Sequence, residues 1–223
     1  MAQATRTKDL EEIRRDPLIK KSLNFVSLYQ YDHRHSQQVS RLAVNLFDEL
    51  HNLHNLSVRK RMLIEAGALL HDIGWKLGKK FHHKSSLELI MQDHTLPISD
   101  RQRVIIGLIA RYHRKSLPKK SHKYFSTLAP YTQKIVCKLA SFVRLADGLD
   151  YAHKSKVKEI RCNILPNLVI MQVKGSGFTR EDKEKAEKKT DLFQKTYRRR
   201  VKIIWTALST KPSKENLLRR DII

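Results

Sequence analysis

Along most of this chain apolar residues recur at intervals of three and four, the spacing of helices with one buried face. After Asp32, a residue suited to cap a helix, Val39, Leu42, Ala43, Leu46, Phe47 and Leu50 fall on one stripe. Further helices are predicted near residues 7–15, over Pro17–Tyr29, and over 58–72, where Met62, Ala66, Leu69, Leu70 and Ile73 face inward and Gly74 acts as the stop. A shorter helix carries Leu87, Leu89, Ile90 and Met91, and Pro97 ends the connection after it. Ser99 with Gln102 has the form of a capping box ahead of Val104, Ile105, Leu108, Ile109 and Tyr112, which puts His113 at the far end of that helix. A loop over 116–130 leads to the last long helix, 131–151, built on Ile135, Val136, Leu139, Phe142, Val143, Ala146 and Leu149.

After Tyr151 the period changes. Residues 157–164 and 168–173 alternate around Pro166 and Asn167 as a hairpin does, the charged segment 179–196 reads as helix, and 201–208 as a last strand or helix. The fold class is therefore mainly α: a helical bundle over residues 1–153, followed by a small α/β element over 154–208 with the order strand, strand, helix, strand. Residues 209–223 form a basic tail. There is no internal repeat and no low-complexity tract.

A chain of 223 residues is long enough for one core with a small appendage. It has no run of about 18 uncharged apolar residues, and its first residues are too charged for a secretory leader, which predicts a soluble, cytoplasmic protein with no membrane partner. Two cysteines, Cys137 and Cys162, fit reduced thiols in a cytoplasmic protein better than a redox or zinc site. The charge balance changes the picture more: 45 Lys+Arg stand against 22 Asp+Glu, a formal net charge of +23. Such a field draws polyanions and makes their binding salt-sensitive. Nucleic acid, polyphosphate, nucleotides and acidic proteins all fit, and so does a merely solubilising surface; a homodimer is also open.

The candidate chemistry lies at helix ends. The stretch LLHDIGWKLG places His71 beside Asp72 where an apolar run stops, and His35 and Asp147 occupy comparable positions on other helices. Taken singly, each is as readily a satisfied polar residue. Taken in the order H…HD…D, they combine imidazole nitrogen and carboxylate oxygen, a donor set that suits a divalent ion of the Mn, Fe, Zn, Ni or Mg range. An ion there would also offset two carboxylates in a bundle interior.

His35 within HSQQVSRLAVNLFDEL, then ALLHDIGWKLG and VRLADGLDYAH, resemble the HD-domain superfamily of metal-dependent phosphohydrolases. With FHHKSSLELI, IARYHRKSLPK and LASFVRLADGLDYAH, the chain from about residue 15 to 205 is similar to the C-terminal region of the exopolyphosphatase and guanosine-pentaphosphate phosphatase family. That resemblance implies an HD-type helical bundle followed by a small α/β element, with His35, His71, Asp72 and Asp147 as metal ligands. In that family polyphosphate cleavage belongs to an N-terminal pair of actin-like domains, for which this chain has no room and no Gly-rich phosphate loop, so that chemistry does not carry over.

Some HD enzymes extend the pattern and hold two metals. His83 and His113 fit that extension here, although both, with His82, serve equally as phosphate-binding groups. The catalytic candidates are Asp72, His113 and Arg144, and the phosphate-binding candidates are Lys84, Arg111, Arg114 and Lys115. Arg144, one turn before Asp147, is alternatively its ion-pair partner. Asp150 and His153 are expected in supporting or surface roles. The basic and apolar alternation over 195–203 suggests a strand with a charged face; Tyr197 there is a candidate for stacking on a base, but an exposed sheet edge accounts for the pattern as well.

Three functions follow: a phosphohydrolase acting on a nucleotide or polyphosphate-like substrate through metal-activated water, a non-catalytic module binding polyphosphate, nucleotide or nucleic acid, and a nucleic-acid-binding protein that reuses the fold.

Overall fold

In a computed structural model, residues 16–29 and 32–208 are described. The first seven helices are α1 (Pro17–Tyr29), α2 (His33–Glu49), the single turn α3 (His51–His54), α4 (Val58–Leu69), α5 (His82–Gln92), α6 (Asp100–Arg111) and the short α7 (Lys123–Ser126). Of these, α2, α4 and α6 pack against α8 (Pro130–Leu149), while α1 packs on α4 and α5 on α6; Leu139, Ala140, Phe142, Val143, Leu145 and Ala146 of α8 are fully buried. The chain then forms β1 (Val157–Ile164), β2 (Leu168–Gly175), α9 (Arg180–Lys188), α10 (Asp191–Tyr197) and β3 (Arg200–Ala207). This is the mainly helical fold with a C-terminal α/β element that the sequence predicts. The helix expected near 7–15 and the basic tail over 209–223 lie outside the described residues.

Local signals set most boundaries. Asp32 caps α2 by accepting from the backbone N–H of His35 at 3.0 Å. The Ser99 and Gln102 capping box is formed, and an unanticipated one, Thr179 with Asp182, opens α9. One boundary differs from expectation. Helix α4 ends at Leu69, so His71 and Asp72 sit in a turn between it and a 3-10 turn over Ile73–Leu77, rather than in the last helical turn. Gly74 is a point of close approach rather than the stop: a Cβ there would lie 2.1 Å from the His82 carbonyl oxygen. Ser86 closes this junction, donating to the His71 carbonyl at 2.7 Å and accepting from the Gly74 N–H at 2.9 Å.

Strands β1 and β2 pair antiparallel, with a register shift between Val157 and Glu159, while β2 and β3 pair parallel through the α9 and α10 crossover. The sheet buries Val157, Ile160, Val169, Met171 and Val173. Gln38 and Arg41 of α2 tie it to the bundle, donating to the Val157 carbonyl at 2.7 and 2.6 Å. Strand β3 is an outer strand, but it begins only at Arg200, so the strand expected over 195–203 is met only from there; Tyr197 lies in α10 and is buried against Phe193 and Phe142, so it offers no platform for a base. Both cysteines are free and half-buried. No helix among the described residues is long and apolar enough to cross a membrane.

Candidate metal centre

Imidazoles and carboxylates from five segments gather at one cavity of about 570 Å³, whose wall includes Asp72, His82 at the start of α5, His113, Asp147 and Lys189. His35 comes from the first turns of α2, Asp147 from the last turn of α8, and His71 and His113 from just beyond the ends of α4 and α6. All are buried.

The rings are held in fixed tautomers. Nδ1 of His71 donates to the Ala68 carbonyl at 2.6 Å, that of His113 to the Ala110 carbonyl at 2.6 Å, and that of His82 to the Lys79 carbonyl at 2.8 Å. Nδ1 of His35 donates to Asp150 Oδ2 at 2.9 Å. Each Nε2 is thereby left turned toward Asp72 or Asp147. There Asp72 divides its two oxygens: Oδ2 lies 3.4 Å from His71 Nε2 and 3.9 Å from His35 Nε2, while Oδ1 lies 3.0 Å from His82 Nε2 and 3.4 Å from His113 Nε2. Asp147 Oδ1 is 3.4 Å from His35 Nε2, and the Nε2 atoms of His82 and His113 approach to 3.2 Å. His35 Nε2, His71 Nε2 and Asp72 Oδ1 are buried with no directed hydrogen bond. Lone pairs turned on one another at these distances repel unless a proton or cation lies among them.

The electrostatics follow. Burial holds the His71 and His113 imidazoles below their ordinary range, His113 far below. Burial opposes charge on His35 too, but the Asp147 and Asp150 carboxylates prevail and push it up to about 10. Burial also acts to raise Asp147, yet the Lys189 ammonium, which donates to its Oδ2, and His35 hold it well below the usual carboxylate range. Asp72 is likewise held low by His71 and His82 against its burial. Three triads offer ligand atoms all within 4.8 Å of one another: His35, His71 and Asp147; His35, Asp72 and His153; His71, Asp72 and His113. Such groups could hold a cation.

The structure thus gathers His35, His71, Asp72, Asp147 and His113 as the sequence expects. His83 does not line the cavity; its neighbour His82 does, stacked on Trp75 with ring centroids 5.0 Å apart. Arg144 is neither at the reacting face nor the partner of Asp147. Its guanidinium grips Asp191 of α10 at 2.6 and 2.8 Å and donates to the Tyr112 and Lys115 carbonyls, which makes it a structural clamp. Arg114 and Lys115 do line the cavity, whereas Lys84 is exposed beside the Phe81 ring and Arg111 lies over Tyr112. Lys79, Trp75, Tyr151 and Lys189 line the wall without having been anticipated. His153, given a supporting or surface role, stacks on His35 at 3.5 Å between centroids and donates to Asp32.

A family model described as Ppx/GppA phosphatase, domain III, matches residues 20–197. The chain belongs to this family. Two curated relatives carry the name guanosine-5'-triphosphate,3'-diphosphate pyrophosphatase. That of Pseudoalteromonas translucida (strain TAC 125) is 26% identical over 121 residues, 53% of this chain and 24% of the relative. That of Vibrio vulnificus (strain YJ016) is 32% identical over 111 residues, 48% of this chain and 22% of the relative. The matched region is thus less than a quarter of either Ppx/GppA relative.

Proposed function

We propose that this Ppx/GppA domain III chain carries an HD-type, metal-dependent phosphohydrolase centre, acting on a phosphate ester or anhydride of a nucleotide or polyphosphate-like substrate. The carrying observation is the convergence of four imidazole Nε2 atoms on two buried carboxylates, with His82 and His113 Nε2 only 3.2 Å apart. A donor set of nitrogen and oxygen without thiolate fits a Mn, Fe, Zn, Ni or Mg ion. His35, His71, Asp72 and Asp147 would hold one such ion, and Asp72, His82 and His113 a second. A bound ion would supply a Lewis acid and a water acidic enough to attack phosphorus at neutral pH.

The remaining roles belong to the chain's own groups. Asp150 orients His35, and the three carbonyl contacts orient the other rings, so the donors need no rearrangement to bind. Arg114, Lys115 and Lys79 bring positive charge to the wall where phosphate oxygens would lie, Arg114 as a fork and the lysines as point charges. His153, fixed through Nδ1 by Asp32, has its Nε2 left to exchange a proton with a departing oxygen. The names of the two relatives support a nucleotide carrying a phosphoanhydride as the substrate class.

A second reading, a non-catalytic module that binds polyphosphate, nucleotide or nucleic acid through its basic surface, is favoured by one observation: the Lys189 ammonium already neutralises Asp147. Elemental analysis of the purified protein, with His71→Ala and Asp72→Ala prepared in parallel, separates the two. Near-stoichiometric metal lost in both variants, with hydrolysis of nucleoside polyphosphates that disappears with it, supports the hydrolase. A protein that takes up no metal yet retains polyanion affinity in both variants overturns it.

A further inference from the structure

A second cavity, of about 410 Å³, lies between α8, α10 and the loop before α7, and shares no lining residue with the histidine cavity. Its walls are two helical stripes: Pro130, Gln133, Lys134, Cys137 and Lys138 on α8, and Leu192, Lys195 and Thr196 on α10. Spacings of three and four keep each stripe on one face of its helix. Leu117, Pro118 and Phe125 complete an apolar floor.

The charge around that floor has one sign. Lys134 and Lys195 are exposed at the mouth, one on each helix, and Lys138 is half-buried with its ammonium donating to the His54 carbonyl at 3.0 Å. Among the described residues, no carboxylate lines the cavity. The Cys137 thiol is pushed up by burial, so it adds no negative charge. A cavity with an apolar floor and ammonium groups at its rim favours one class of small molecule: an aromatic or aliphatic body that covers the floor, bearing a carboxylate, sulfonate or phosphate that reaches the lysines.

We infer that this cavity is a binding site for a small amphipathic anion, separate from the phosphohydrolase centre. The recognition is divided between area and charge. Leu117, Phe125 and Leu192 remove the apolar body from water, and Lys134 and Lys195 select the sign of the head group. The Cys137 thiol, lying in the lining, reports occupancy directly.

The test uses 8-anilinonaphthalene-1-sulfonate as the fluorescent probe, with decanoate and decyltrimethylammonium as competitors. Decanoate should displace the probe and the cationic analogue should not. Lys134→Glu combined with Lys195→Glu should weaken probe binding about tenfold or more, because two charge-assisted contacts turn repulsive. Lys183→Glu combined with Lys188→Glu, an equal change of net charge on exposed positions outside the cavity, should leave it nearly unchanged. Alkylation of Cys137, followed by peptide mass spectrometry, should slow at saturating decanoate while that of Cys162 does not. Equal competition by the cation, equal loss in the two double variants, or unprotected Cys137 would each overturn the site. None of these readouts depends on metal or hydrolysis, so the outcome stands apart from the fate of the phosphohydrolase reading.

Discussion

Lys189, in the short link between α9 and α10, donates its ammonium to the Asp147 carboxylate at the end of α8, a pairing between residues 42 apart in sequence. The ammonium stands beside the oxygen that a cation at His35 and His71 would share. It stabilises a buried carboxylate, and it would oppose a cation bound on the same carboxylate.

Lys189→Met is therefore expected to have two opposite effects. Without metal the variant loses about 2 kcal/mol, since buried Asp147 is left with His35 as its cationic partner after the ammonium is removed. With metal it binds about tenfold more tightly, one nearby positive charge having been removed. Thermal melts with and without Mn, together with metal titration, read both effects; a variant weakened in both arms would assign Lys189 to the substrate rather than to the carboxylate.

His82 and His83 are adjacent but not equivalent. On the proposed two-ion arrangement, His82→Ala should lower metal stoichiometry from two equivalents toward one, while His83→Ala retains both and His71→Ala loses most of the metal. Elemental analysis of the three variants after equal dialysis measures this, and loss of metal in His83→Ala alone would reverse the assignment.

Arg144→Ala should destabilise the fold by about 2 to 3 kcal/mol, because Asp191 and two loop carbonyls lose their common partner. Metal content should remain at the wild-type level once the variant is folded. Denaturant unfolding and elemental analysis on the same preparation test the clamp; a folded, fully stable variant with hydrolysis abolished would restore Arg144 to the reacting face.

His54 gives a pH dependence outside the site. Its ring is buried between α2 and α8, accepting from the Leu56 N–H at 2.8 Å and donating to the Phe47 carbonyl at 2.8 Å, and burial, with His51 and Lys138 nearby, pushes its pKa down to about 4. The Asp48 carboxylate and the Phe47 bond act the other way but do not prevail. Between about 6.5, the ordinary histidine value, and 4, the unfolded chain takes up a proton that the native chain refuses, so stability falls as pH falls through that window. The loss is on the order of 2 kcal/mol after solvent screening. The difference between wild-type and His54→Gln unfolding curves should contain this slope and be flat above pH 7; a parallel pair of curves would mean that the ring already accepts its proton in the fold.

The helices and the hairpin were legible because their apolar spacing and caps are local: Asp32, Ser99 and Gln102 each act within three residues. His71 and Asp72 were legible as a pair, but not their position beyond α4, since the turn is set by the approach of Gly74 to the His82 carbonyl from another element. Successive helical residues point about 100° apart, so the adjacent histidines 82 and 83 could be told apart only by how α5 docks. Arg144 was placed near Asp147 by helical spacing, whereas its actual partner, Asp191, lies 47 residues away. Lys189 belongs to a run of alternating charges from which nothing local separates it.

The same short bond recurs on three segments of the centre: an imidazole Nδ1 donating to the carbonyl three residues earlier, at Ala68, Lys79 and Ala110. The compass bearing of each ring is consequently a property of four residues of chain, not of the assembled bundle. A substitution in the core that slides α4 or α6 carries its histidine along without spinning it. Such a change alters the spacing between donors while leaving their aim intact, so the centre should drift in which ion it prefers before it loses the capacity to hold one.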